Sequence, residues 1–192
     1  MTSFTMNTVG EITYDLPKLD TGNYWYPIYP DHVATINSYK IKEILRRIPT
    51  YPPGSDYYSA LDRGMIPDRL RKEEYDSKRV NHFGGEKYKF CQRIEKDDVF
   101  STICTSMRCN GFHPRIVHFE EPRVISVREA ARAQGFLETD ILCGNIADQY
   151  KVVGNSVPRN IAFALGLQLG RALTDHEHEH LPKNHYELWN DY

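Results

Sequence analysis

Apolar residues three and four positions apart mark two stretches of this chain as helical. Over residues 38–48, Ile41, Ile44, Leu45 and Ile48 share a face, while Lys40, Lys42, Arg46 and Arg47 fill the rest. Near the C-terminus, Ile161, Leu165 and Leu169 repeat with Ala162 and Leu173. Start signals sharpen the picture. Ser156 is a plausible N-cap for that second helix, with Pro158 in its first turn, where a missing N–H costs nothing. Ser126 and Glu129 form Ser-x-x-Glu, a capping box, ahead of good helix formers over residues 127–134, and Gly135 can take the left-handed position that ends them. A short loop then joins two helices over residues 123–173. Taken singly, each is a capped amphipathic helix on a core.

The rest of the pattern is more broken. Residues 8–17 suggest a short helix stopped by Pro17. Residues 18–34 are rich in Tyr and Pro and read as irregular chain with room for one short strand. Residues 51–56 break the helix before them. Residues 61–89 read as a polar loop with a short helix near 70–75. Phe90, Ile94, Val99, Phe100 and Ile103, spaced by polar residues around a turn at Lys96-Asp97-Asp98, read as strand, and residues 115–118 as one more.

Composition changes this little. A chain of 192 residues can bury one ordinary core, and its net charge of -2 offers no global basic field, so any nucleic-acid surface is local. Cys91, Cys104, Cys109 and Cys143 form no CxxC pair, which favours reduced thiols over disulfides or zinc. No apolar run approaches the ~20 residues of a membrane span, and the first ten residues lack a hydrophobic signal segment. His176-Glu177-x-x-His180 has the form of a zinc-protease motif. Zinc catalysis needs a buried helix, a third ligand and a cleft, whereas this motif sits beside Pro182 in a polar setting; weak adventitious metal binding by three nearby histidines fits better, and a solvated His/Glu face is the plainest reading.

Order and spacing together say more than each helix alone. Arg123-Val-Ile-Ser-Val-Arg-Glu-Ala-Ala-Arg-x-Gln-Gly-Phe136, followed by Gly144-Asn-Ile-x-Asp-Gln-Tyr-Lys-x-Val-Gly-Asn-Ser-Val-Pro158, resembles the last two motifs of the DNA (cytosine-5) methyltransferases, with the eukaryotic maintenance-type branch and its fungal relatives nearest. Arg47-Ile-Pro49 with Pro52-Pro-Gly-Ser-Asp56 resembles a segment of that branch's target recognition domain, and Phe100-Ser-Thr-Ile-Cys-Thr105 resembles the family's Phe-Ser-Thr-x-x-Thr segment. The resemblance covers roughly residues 8–173.

It implies an α+β chain. Residues 1–120 would be a small, irregular, β-rich recognition lobe. Residues 121–173 would be a helix pair belonging to an α/β, Rossmann-like S-adenosylmethionine domain that is mostly absent, and residues 174–192 a polar tail. It also implies DNA as partner, nuclear location, and donor contacts from Asn155, Ser156 and Val157. Gly154 would let backbone approach the donor at a helix start, where outward amides welcome a carboxylate. Arg46, Arg47, Thr102, Thr105, Ser106 and Arg108 are the candidates for DNA contacts. In the family a Cys after Pro attacks cytosine C6, a Glu-Asn-Val motif holds the base and a Gly-rich turn holds the donor. Here the cysteines follow Phe90, Ile103, Arg108 and Leu142, and neither of the other motifs occurs. No catalytic residue and no metal ligand is therefore assigned.

Three functions stay open. The chain is the C-terminal part of a cytosine-5 methyltransferase, truncated or completed by an N-terminal half. It is a non-catalytic DNA-binding module, with basic loops such as Arg46-Arg47 and residues 69–72. Or it is a structural or regulatory subunit holding a partner through the stripe of Ile161, Leu165 and Leu169.

Overall fold

The computed structural model describes residues 7–19, 29–35, 37–71, 89–109 and 115–173. They fall into two compact units, divided between Ser156 and Val157.

In the first unit, α1 (Val9–Thr13) opens on a capping box: the Thr8 hydroxyl accepts from the Glu11 amide at 3.2 Å, and the Glu11 carboxylate accepts from the Thr8 amide at 2.7 Å. The helix ends at Thr13, well before Pro17. Its first amides lean outward instead, Val9 onto the Asp98 carbonyl and Gly10 onto that of Lys96, both at 2.8 Å. Helix α2 (Tyr39–Leu45) starts at the expected Ser38 and buries Ile41, Ile44 and Leu45, with Ile48 buried just beyond. Helix α3 (Tyr57–Asp62) was not expected. Asp56 and Ser59 form its capping box, and Tyr57, Tyr58 and Ala60 go into the core. A 3-10 turn (Asp68–Leu70) stands where a helix near 70–75 was expected; residues 72–75 lie outside the described residues.

Secondary structure is mixed helix and a little sheet. Strands β1 (Gln92–Arg93) and β2 (Arg115–Val117) pair in parallel, so among the described residues "β-rich" overstates the lobe. The turn at 96–98 forms, but residues 100–103 do not extend into a strand. A second short contact returns the chain: Val117 bridges Val124 antiparallel, and the Ile125 amide donates to the Ile116 carbonyl.

Helix α4 (Val127–Ala133) keeps its expected start at Ser126. Every first-turn amide finds an acceptor. Val127 and Arg128 donate to the carbonyls of Val33 and Asp31, and Glu129 donates to the Ser126 hydroxyl. Gly135 takes a positive φ of 77° after the helix. The partner of α4 is α5 (Ile146–Asn155), which the sequence reading had passed over as loop. Val9, Ile44, Tyr57, Phe90, Val117, Val127, Ala130, Tyr150 and Val153 form one core, which crosses residue 120 without a break.

The second unit contains α6 (Arg159–Leu173). It begins one residue after Pro158, whose carbonyl accepts from the Ile161 and Ala162 amides. By itself this helix buries none of its side chains. The His176–His180 motif lies outside the described residues, and among those described no three metal-ligating side chains cluster and no helix is long and apolar enough to cross a membrane.

A buried ionic network locks α4 to the rest of the first unit. Arg123 reaches both Glu129 oxygens at 2.9 and 2.7 Å and Glu121 at 2.8 Å, and Glu129 is 1% exposed. His118 lies 3.7 Å from both carboxylates, and its Nδ1 accepts from the Glu120 and Glu121 amides, so Nε2 carries the proton. His32 offers Nε2–H to the Pro17 carbonyl, which can only accept, leaving Nδ1 to accept from the Ser126 hydroxyl at 2.9 Å. Burial lowers the His118 pKa to about 3. For Glu129 burial pushes upward, but the charge and hydrogen bonds of Arg123 outweigh it and bring the carboxyl down to about 2.

Both shifts have the same consequence. The unfolded chain binds protons that the folded one refuses, first at His118 below its ordinary 6.5, then at Glu129 below its ordinary 4.5. Stability is therefore full above pH 6.5 and falls on acidification in two overlapping stages. Urea midpoints measured from neutral pH downward should show this decline; a constant midpoint would contradict it.

Candidate nucleic-acid and donor-binding site

A cleft of about 840 Å³ opens in the first unit between three segments. Pro30, Val33 and Thr35 form one wall, Thr105, Ser106, Met107 and Arg108 a second, and residues 144–147 and 149–151 at the start of α5 the third. The first wall is fixed by α4: Asp31 accepts from Arg128 Nε at 2.7 Å, both side chains buried, and Arg128 reaches on to the Leu137 and Asp140 carbonyls.

The third wall is built by capping. Asn145 Oδ1 accepts from the Asp148 amide at 3.1 Å, and Gly144 takes a φ of 93° to turn the chain into the helix. Gln149 ties the loop down by donating to the Leu142 and Gly144 carbonyls. Behind it Tyr150 is buried, its hydroxyl donating to the Ile125 carbonyl at 2.6 Å. The first two amides of α5 have no intrahelical acceptor and add partial positive charge at the cleft. With Arg108, Lys151 and the hydroxyls of Thr35, Thr105 and Ser106, the cleft suits an anionic, hydrogen-bonding ligand such as a phosphate.

The second wall is pinned from the far end of α5. A Cβ on Gly154 would meet Cys104 C and Thr105 N at 2.5 Å. Glycine is required there for close packing of helix on backbone, not for approach to a ligand. This corrects the expected geometry. Gly154 and Asn155 are the last residues of α5, and Ser156 follows as its C-cap. The Ser156 hydroxyl donates to the Val153 carbonyl at 2.7 Å, closing α5. The dipole at this end is negative, so it favours a cation or an N–H donor over a carboxylate. Asn155 is exposed at the end of α5, and Val157 is exposed at the start of the second unit.

Of the DNA candidates, Thr105, Ser106 and Arg108 come together in the cleft. Thr102 is exposed outside its lining, and Arg46 and Arg47 lie on the outer side of α2, bonded to Glu43. Sequence reasoning missed Asn145, Gln149 and Lys151. Asn145 followed by Asp148, with Ile146, Tyr150 and Val153 spaced four and three apart, was the available signal.

The sequence profile of the C-5 cytosine-specific DNA methylases matches residues 22–171. The chain belongs to this family. Among curated members of the C-5 methylase family, DNA (cytosine-5)-methyltransferase 1 of mouse is 30% identical over 195 aligned residues, covering 77% of this chain and 12% of the mouse protein. The rat protein of the same name is 38% identical over 120 residues, 62% of this chain and 7% of its own length. A methyltransferase of the sea urchin Paracentrotus lividus is 29% identical and covers 83% of this chain, again 12% of its own. The chain thus spans about an eighth or less of the C-5 methylases it matches.

Proposed function

We propose that this chain supplies the target-reading lobe and the closing motifs of a nuclear DNA (cytosine-5) methyltransferase, of the maintenance-type and fungal branch, and that the cleft receives DNA backbone. The observation that carries this is the seating of Gly154 on Cys104–Thr105. It joins the segment matching the family's donor motif to the segment bearing the cleft hydroxyls, so the position of one fixes the other. S-adenosylmethionine would supply the methyl group. Asn155, exposed at the end of α5, is the first-unit residue that would contact it, whereas the Ser156 hydroxyl is already committed as a donor within α5. A complementary N-terminal half would bring the Pro-Cys nucleophile, the Glu-Asn-Val contact and the Gly-rich turn, none of which occurs in these residues.

The chain alone is expected to transfer no methyl group from labelled S-adenosylmethionine to duplex DNA, and a supplied N-terminal half to restore transfer. In that complex Asn155→Ala should weaken donor affinity by ~1–3 kcal/mol, the cost of an unsatisfied buried partner. Calorimetry on the two-part enzyme decides the second point. Methylation by the chain alone, abolished by changing one of its cysteines to alanine, would overturn the first.

A further inference from the structure

The outer side of α2 carries a concentration of positive charge that the cleft does not include. Glu43 holds three guanidinium groups at once: Arg47 at 2.7 Å, Arg46 at 3.3 Å, and Arg69 from the 3-10 turn at 3.8 Å. Beside them Arg71 pairs with Asp68 at 3.2 Å, and Lys40 Nζ donates to the Arg71 carbonyl at 3.4 Å. Five cations therefore share a small surface with two carboxylates, on a chain whose net charge is -2. The side chains of Arg46, Arg69 and Arg71 are 47%, 62% and 49% exposed, while that of Glu43, covered by the arginines, is only 12% exposed.

We propose that this face is a second phosphate-binding platform, engaging the backbone of duplex DNA outside the cleft, with Glu43 as the internal anion that orders its guanidinium groups. The proposal rests on the reading of the chain as part of a DNA methyltransferase. Carboxylate and phosphate present matching pairs of oxygens to a guanidinium fork, so a cluster that closes on a carboxylate is shaped for a phosphate. One carboxylate cannot neutralise three guanidinium groups, and the excess faces water. Four of the five cations are arginines, and they come from two elements packed against one another. Duplex DNA brings several phosphates to such a patch and releases counterions for each one neutralised. An acidic protein carries no condensed counterion layer of that density to release.

The test uses the full chain and a random-sequence duplex, with binding followed by fluorescence anisotropy from low to physiological salt. The double variant Arg69→Glu/Arg71→Glu should bind about tenfold more weakly at low salt and lose about 2 from the slope of log affinity against log salt, near 0.9 per phosphate contact. Glu43→Gln should bind about two- to fivefold more tightly, a gain that unfolding cannot produce. Circular dichroism checks that each variant keeps its fold. If the double variant binds like wild type while Arg108→Ala binds more weakly, the platform is refuted and the cleft reading stands. Displacement of the duplex by polyglutamate as effectively as by a second duplex would mark an acidic-protein surface and overturn the DNA assignment. Failure of the wild-type chain to bind at low salt would also overturn it; methyl transfer by the two-part enzyme judges the parent reading separately.

Discussion

Glu129→Ala is expected to destabilise the first unit by ~3–5 kcal/mol, a large fraction of the stability of an ordinary domain. The carboxylate does two jobs in one buried place. It accepts from the Ser126 amide at 2.7 Å, completing the capping box, and it holds Arg123 through both oxygens. Alanine leaves the Arg123 guanidinium with Glu121 as its carboxylate partner in a setting where Arg123 is itself only partly exposed. Removing one member of a buried pair costs far more than the pair contributes, because the survivor keeps its desolvation penalty. Glu129→Gln separates the two jobs: it retains an oxygen for the cap and loses the charge. Urea unfolding of both variants gives the division. A loss under 1 kcal/mol in the alanine variant would show that water or Glu121 compensates for the missing charge.

Gly154→Ala is expected to cost ~1–3 kcal/mol or more and to damage the cleft at the same time. The added methyl has nowhere to go, since its nearest neighbours are backbone atoms of Cys104 and Thr105 at 2.5 Å and not the end of a flexible side chain. Either the end of α5 or residues 104–108 must shift, and Thr105, Ser106 and Arg108 move with the latter. A substitution far from any expected nucleophile should therefore reduce DNA binding as well as stability. Thermal melts and anisotropy on the same variant check both. A variant that melts like wild type would mean that the helix slides without cost.

The sequence spoke clearly where one signal had one meaning. Ser126 and Glu129 cap α4, and the face of Ile41, Ile44 and Leu45 is buried in α2. It spoke poorly where a local cue was overridden. Gly154-Asn155-Ser156 looks like a start because Ser and Pro follow a glycine, yet the segment ends a helix whose beginning, at Asn145, is marked by a less emphatic cap. Only Tyr150 and Val153 of α5 are buried, so the helix lacks the stripe that periodicity detects. Strand was expected on both sides of the turn at 96–98, but β1 takes its partner from residues 115–117, a pairing between distant segments that no local pattern announces. The cleft was legible only in part, since Thr105, Ser106 and Arg108 were named while the helix opposite them was not.

Among its described residues the first unit has very little sheet to hold its loops, and the place of a ladder is taken by one side chain. Arg93 is buried and donates to the carbonyls of Ile48, Pro49, His118 and Glu121, spanning the end of α2 and the return from β2 into α4. Burial lowers its pKa to about 10, still leaving it charged at neutral pH. A ladder can fray one rung at a time. A single guanidinium cannot release one loop while its remaining charge stays dry, so the two loops share one opening equilibrium. The first unit thereby behaves as one cooperative body although most of its described chain is irregular, and variation in a loop tip can be absorbed without loosening the frame that presents it.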